Sequence, residues 1–339
     1  MSGRNGYLVV VMFDRIPQIS LEGILRPGLL SIFYALIVDS GSPTLDNRCA
    51  KVQVMNRRTP SSFKPRVERL YGSARDRLDR PNWRWLLGWI VSIVATTSDR
   101  RPSRIRWTGT EWAYYYDGQV ILSNQLLKPA QFDSDLEIFL WDYTPADGDV
   151  ILDIGAGTGT EAVRLSRLVG PTGRVIAVEA HPDTFAVLAK VSAANRIHNI
   201  TTVEAAVAGV AGTLHITDND EVGSNTLFGD GAIEVRATTI DDIIAECHVE
   251  RVDFLKMNIE GAERLAIQGM DHTVARVERM AISCHDFLGT EWGATRSVVY
   301  RWLIDQGFQV RSRPDDPRRW CQDYLYASRP VAPNGVLHP

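Results

Sequence analysis

Two carboxylates and three glycines carry the first chemical information. In VILDIGAGTGTE, residues 150–161, Asp153 stands two positions ahead of Gly155, and Gly157 and Gly159 follow on alternate positions. Glycine has no Cβ to disfavour left-handed angles or to hold a ligand away from the main chain, so this run is built for a bound small molecule. Glu179 comes about twenty residues later, at the end of the apolar run 175–178, where an acid accepts hydrogen bonds from both hydroxyls of a ribose. A dinucleotide loop reads G-x-G-x-x-G, whereas the sixth position here is Thr160. Asp153 is expected to fix the loop and to meet a ligand's ammonium group. An acid for ribose, an acid for ammonium and a turn poor in phosphate-binding features describe S-adenosylmethionine better than NAD. The competing readings are a purely structural turn and a misread nicotinamide loop.

These residues need a parallel sheet to hold them. Val150, Ile151, Leu152 and Ile154 form a run suited to a strand buried on both faces, followed by a helix that Gly170-Pro171 stops. The alternation continues through a strand at 175–178, a helix at 182–195 and a strand at 201–207. A hairpin is expected at 212–216 and 233–237, with Ser224 and Asn225 at its tip, and Thr239 caps the next helix. Buried strands at 252–257 and 280–284, a helix at 295–306 and two closing strands at 308–310 and 324–326 complete seven. Such alternation places helices on both faces of the sheet and a ligand crevice at the carboxyl ends of its strands.

Upstream, Ser134 and Glu137 form a capping box for a helix carrying Leu136, Phe139, Leu140 and Tyr143. Residues 105–122 alternate in the manner of a small antiparallel meander with turns at Thr108-Gly109 and Asp117-Gly118. Its aromatic face is read as core, with a sugar-stacking or lid surface as the alternative. Trp83, Trp85 and Trp89 sit among arginines beside an apolar run, which fits a helix packed on the core or an interfacial membrane helix.

The chain's 37 Lys and Arg against 41 Asp and Glu hide an asymmetry, since residues 51–108 hold 14 basic and 4 acidic side chains. This block reads as a solvated face or as a peripheral contact with membrane, phosphate or an acidic partner. The four cysteines, Cys49, Cys247, Cys284 and Cys321, show no C-x-x-C spacing, so a reduced, cytoplasmic setting is expected. No apolar run reaches the ~18 residues of a membrane span, and no signal peptide is expected.

The segments GDVILDIGAGTGTE, RVIAVEAHP, VDFLKMNIEGAE and ISCHDFLG, in this order and with the hairpin between the third and fourth strands, resemble the FkbM family of S-adenosylmethionine-dependent methyltransferases. The likeness covers about residues 135–328, and IEGAE is its most specific mark. It implies an α/β class I methyltransferase fold, Rossmann-like, with a seven-stranded sheet and helices on both faces. To this the chain adds a basic N-terminal extension (1–100), the meander (101–130) and a tail (329–339) around a domain at 131–328. It further implies O-methylation of a sugar, glycolipid or natural-product hydroxyl.

Carried over by position, Asp153, Gly155, Ala156, Gly157 and Thr158 match the cofactor loop, and Glu179 with Ala180 the ribose end. Glu204, Ala205 and Ala206 fall where the adenine is held. The family commonly has Asp where this chain has Asn258, and an amide there argues against a magnesium-dependent mechanism. Asn258 is then expected at the methionine end of the cofactor or at the acceptor.

A hydroxyl acceptor calls for a base, and the candidates stand at strand ends. His285, with an ordinary pKa near 6.5, either takes the proton or caps its strand, and Asp286 beside it would orient it. Glu260 is the second candidate, while Glu263 is read as a helix cap. The remaining histidines share no metal-ligand spacing and no metal is expected. A nucleic-acid adenine methyltransferase is disfavoured because the fourth strand ends in MNIEG, without the proline-aromatic motif that stacks a flipped base, and no nucleic-acid partner is expected. A non-catalytic binding protein with this fold is the reading from another class, and nothing in the sequence sets an oligomeric state.

Overall fold

The computed structural model describes residues 78–98, 101–127, 132, 136–218 and 233–330. The basic extension up to residue 77, the Ser134 cap, the Ser224–Asn225 tip and the tail beyond Pro330 lie outside the described residues. The chain divides into units at 1–74 and 75–339, ahead of the boundary read near residue 100, and every described residue belongs to the second.

Helix α1 (Arg84–Ser98) buries Leu86, Leu87, Val91 and Ala95. It docks on an antiparallel meander of β1 (Ser103–Trp107), β2 (Trp112–Tyr116) and β3 (Gln119–Ser123). Ser92 Oγ accepts the Ile105 amide at 2.7 Å and Thr96 Oγ1 accepts that of Ser103 at 3.0 Å, so the helix supplies partners to an edge strand that would otherwise present unpaired donors. Among the described residues no helix is long and apolar enough to cross a membrane. Trp112, Tyr114 and Tyr116 are buried, which makes the aromatic face core. Tyr114 meets Phe132 edge-on at 5.1 Å, and its hydroxyl donates to the Gln125 carbonyl and accepts the Leu127 amide.

The larger sheet follows in chain order. It begins with β4 (Val150–Ile154), α2 (Thr160–Leu168), β5 (Arg174–Glu179), α3 (Pro182–Ala194) and β6 (Ile200–Glu204). A short β7 (Ala206–Val207) pairs in parallel with β9 (Ile233–Thr238), which also pairs with β8 (Gly212–Ile216), in a separate three-stranded sheet. After α4 (Ile240–Glu246) come β10 (Val252–Met257), a single turn α5 (Glu263–Ala266), β11 (Val277–Ser283), α6 (Arg296–Asp305), β12 (Gln309–Arg311) and β13 (Tyr324–Ser328). The seven strands run β12-β13-β11-β10-β4-β5-β6, with β13 antiparallel to both its neighbours. The strand read from sequence as continuous over 201–207 breaks at Ala205, whose amide donates to the Glu179 carbonyl. Ala206 and Val207 leave the main sheet to pair with β9; Ala206 is covered by Ile216 and Val235 of the inserted hairpin, while Val207 packs in the main core.

The core explains the runs of unbroken hydrophobicity. Val175, Ile176, Ala177 and Val178 are each at most 1 % exposed because helices cover both faces of β5. Asn195, which caps α3, accepts the Val120 amide and donates to the Val120 carbonyl, tying the meander to this helix. Strand order reverses at β4, which has β5 on one side and β10 on the other, all parallel, and this switch point leaves a crevice above the glycine turn.

Candidate active site

Gly155, Gly157 and Gly159 all have positive φ, +77°, +55° and +86°. The Gly155 and Ala156 amides both donate to the Val178 carbonyl at 2.9 Å, so the turn leaving β4 is fastened to β5. This brings Gly157 against Glu179. The Glu179 carboxylate accepts the Gly157 amide on Oε2 and the His181 amide on Oε1, each at 2.9 Å. Enclosure by protein raises the Glu179 pKa, an effect opposed by those two donors and by the charges of Lys256 and His181.

A cavity of about 410 Å³ opens here, within the ~300–1,000 Å³ typical of small-molecule sites. Of the residues assigned to the cofactor from sequence, Gly155, Ala156, Gly157, Thr158, Glu179, Ala180, Ala205, Ala206 and Asn258 line it. Ala180, Ala205, Ala206, Val207 and Ile216 make one apolar wall, and Thr160, Glu161, His181 and Lys256 add polar groups. Residues 123–125 of the meander and the exposed Trp320 also line it.

Two assignments fall elsewhere. Asp153 does not line the cavity: it is fully buried, and Lys256 Nζ lies 2.9 Å from its Oδ1. A carboxylate on a strand covered on both faces has no solvent and must be matched inside the protein. Lys256 is its cross-strand partner in the β4–β10 register and also donates to the Gly155 carbonyl at 2.7 Å. Burial pulls the Lys256 pKa down, but Asp153, Glu161 and Glu179 outweigh it and hold the ammonium protonated. Glu204 is exposed and borders a separate depression with Pro182, Glu234 and Arg236.

The acid-base candidates gather at the carboxyl ends of β10 and β11. Glu260, with φ +52°, is at the cavity wall. Behind it His285 is 2 % exposed, with Nε2 3.3 Å from Glu260 Oε2 and Nδ1 3.1 Å from Glu263 Oε1. Glu263 is more than a helix cap. It is fully buried and accepts the Ile259 and Gly261 amides and the Thr295 hydroxyl. Burial lowers the His285 pKa, yet the two carboxylates overcome this and raise it to about 10. His285 is therefore an imidazolium at neutral pH with a carboxylate at each nitrogen, an arrangement that leaves it no lone pair with which to take a proton. Asp286 does not orient it: its Oδ2 accepts the Thr295 and Arg296 amides at the start of α6.

This cluster makes a prediction about stability. A group whose pKa rises on folding contributes stability that is complete below its unfolded value, near 6.5, and that is lost as pH climbs towards 10. The urea midpoint of the wild type is expected to fall relative to that of His285→Gln between pH 7 and pH 10. Parallel pH profiles for the two proteins would show that the imidazolium is not held as described.

Sequence reasoning passed over Lys256, Glu161 and His181. Lys256 had a visible signal, a charge within the otherwise apolar Phe254-Leu-Lys-Met257. His181 had none, since one histidine ahead of a helix is as readily exposed as buried.

The comparisons with known proteins bear on this geometry. Residues 153–310 match the family model described as the methyltransferase FkbM domain. No curated protein matches the chain. Among solved structures, a methyltransferase FkbM from Methylobacillus flagellatus KT is similar at 20% identity over 53% of this chain and 44% of its own, with a TM-score of 0.40, so this chain spans less than half of that protein. Fibrillarin from Aeropyrum pernix, with natively bound S-adenosyl-L-methionine, aligns at 17% identity over 64% of this chain and 93% of its own, TM-score 0.37. A SAM-dependent O-methyltransferase from Thermotoga maritima aligns at 15% over 62% and 69%, TM-score 0.34. The matched segment begins at Asp153 beneath the glycine turn, takes in the Glu179 and Glu260 loops, and ends on the first closing strand. Over residues 153–310 this chain is similar to the methyltransferase FkbM domain.

Proposed function

We propose that the domain transfers a methyl group from S-adenosylmethionine to a hydroxyl of a small molecule or glycan, without a metal. The observation that carries this reading is the Glu179 carboxylate, fixed by two backbone amides at the edge of the cavity. Each carboxylate oxygen accepts more than one hydrogen bond, so both remain able to take a ribose hydroxyl. The apolar wall of Ala180, Ala205, Ala206, Val207 and Ile216 suits a flat base beside that ribose. Glu161, Glu179 and Glu260 stand against one lysine in the lining, a balance that favours a cationic ligand over a pyrophosphate.

When bound, the cofactor supplies a methyl carbon on a sulfonium, open to in-line displacement. The chain's part is to hold the acceptor in line and to receive its proton. We assign this role to Glu260, which lines the cavity, whereas His285 does not. The imidazolium donates to Glu260 Oε2 and Glu263 holds the imidazolium, which fixes the direction in which Glu260 presents its other oxygen. Asn258 and Thr158, also on the lining, supply polar groups for the amino-acid end.

Calorimetric titration with S-adenosylmethionine and with NAD tests the cofactor class. Saturable binding of the first and none of the second is expected, and the reverse would remove the reading. With an acceptor that is turned over, Glu260→Gln is expected to lower kcat by roughly a hundredfold or more at nearly unchanged cofactor affinity. An unaltered kcat would show that Glu260 takes no proton.

A further inference from the structure

Helix α1 and the meander present one surface that the proposed chemistry leaves unused. Arg84, Gly88, Ser92 and Thr96, four residues apart, lie along β1. Arg84 stacks on Trp107 at 4.0 Å, a Cβ on Gly88 would stand 2.8 Å from the Ile105 carbonyl oxygen, and Ser92 and Thr96 bond the strand's main chain. One step round the helix Leu87, Val91 and Ala95 are buried, as are Ile105, Trp112 and Tyr114 on the inner face of the meander. One step the other way is Trp85, 63 % exposed, on the side of the meander's outer face. Arg104 and Arg106 are exposed on that face, since they alternate with the buried Ile105. Tyr115, the cross-strand partner of Arg104, is 39 % exposed there, with the guanidinium 5.9 Å over its ring. Nearby carboxylates are already matched, Asp117 by Arg101 and Glu111 by Lys190, and among the described residues none pairs with Arg104 or Arg106.

A single exposed ring is ordinary, but two rings beside two unmatched cations on one face mark an interaction surface. We propose that Trp85, Arg104, Arg106 and Tyr115 form a contact surface for an anionic phospholipid bilayer. Indole and phenol rings settle at the headgroup layer, and guanidiniums beside them meet lipid phosphate with paired N–H donors. The chain's 41 Asp and Glu outnumber its 37 Lys and Arg, so an anionic surface repels the molecule as a whole and attracts it only through a basic face. Nucleic acid shares the phosphate chemistry but engages rings by base stacking, and the Arg104 guanidinium already covers one face of Tyr115. Such docking requires nothing of the cavity's occupant.

The test uses the full chain and co-sedimentation with vesicles of phosphatidylcholine alone or of an equal mixture of phosphatidylcholine and phosphatidylglycerol. The wild type is expected to bind the mixed vesicles and not the neutral ones, and to bind less as salt rises. Arg104→Gln and Arg106→Gln are each expected to weaken binding about fivefold, the effect of one cation near an anionic bilayer. Trp85→Ala is expected to weaken it about tenfold with the salt dependence unchanged. Arg104→Lys with Arg106→Lys keeps the charge and should keep most of the binding, and Arg301→Gln, at an exposed position of α6, should bind as the wild type does. Thermal midpoints close to that of the wild type show that each loss belongs to the surface and not to the fold. No binding to the mixed vesicles, equal binding to both kinds, an equal loss in Arg301→Gln, or Arg104 and Arg106 variants that bind like the wild type would overturn the proposal. Binding of duplex DNA in place of vesicles would overturn it as well.

Discussion

Lys256→Met should destabilise the domain by roughly 3–5 kcal/mol, the cost of leaving a buried carboxylate without its partner. Asp153 and the Lys256 side chain are at most 3 % exposed, and they face each other across β4 and β10 directly below the glycine turn. Loss of the ammonium strands the Asp153 charge and also frees the Gly155 carbonyl. Asp153→Asn combined with Lys256→Met removes both charges and is expected to recover most of the loss, because a matched buried pair adds little net stability over neutral replacements. Urea unfolding of the two single variants and the double variant measures this coupling. A single variant within about 1 kcal/mol of the wild type would show that the pair is hydrated rather than enclosed.

Gly155→Ala should be nearly as damaging, and for a different reason. A Cβ at this position would stand 2.0 Å from the Asn258 carbonyl oxygen, a backbone atom that cannot rotate away, and φ is already +77°. Beyond the roughly 1–2 kcal/mol of left-handed strain, the contact forces β4 and β10 apart under the cavity. Gly157→Ala is the control. It has φ +55° and nothing within 4 Å of its Cβ, so it carries the strain without the clash. The expected pattern is a marked loss of both stability and cofactor affinity in Gly155→Ala. In Gly157→Ala the fold should persist and affinity fall, since the new methyl enters the cavity. Equal unfolding midpoints for the two variants would contradict the close approach of the turn to Asn258.

These two glycines show how far the sequence could be read. Their spacing after an apolar run, with Glu179 closing the next run, was enough to place the turn, the sheet and the cavity, because strand periodicity and backbone freedom are local properties. The break at Ala205 was not legible, since it depends on Ala206 and Val207 pairing with β9 of the inserted hairpin. The partner of Asp153 escaped for a similar reason. Lys256 is 103 residues away in the chain and becomes its neighbour only through strand order. Asp286 looked like the natural companion of His285 by adjacency, yet successive residues at a strand end point apart, and the carboxylates that meet the imidazole come from the loop after β10 and the first residue of α5.

A nucleoside should sit between the glycine turn and Glu179, and a crystal structure of the protein with S-adenosylhomocysteine shows whether it does. The predicted result is ribose hydroxyls within hydrogen-bonding distance of the Glu179 carboxylate and an adenine against Ala205, Ala206 and Ile216. A ligand bound elsewhere, or this cavity filled by the protein's own side chains in crystals soaked with the ligand, would contradict it.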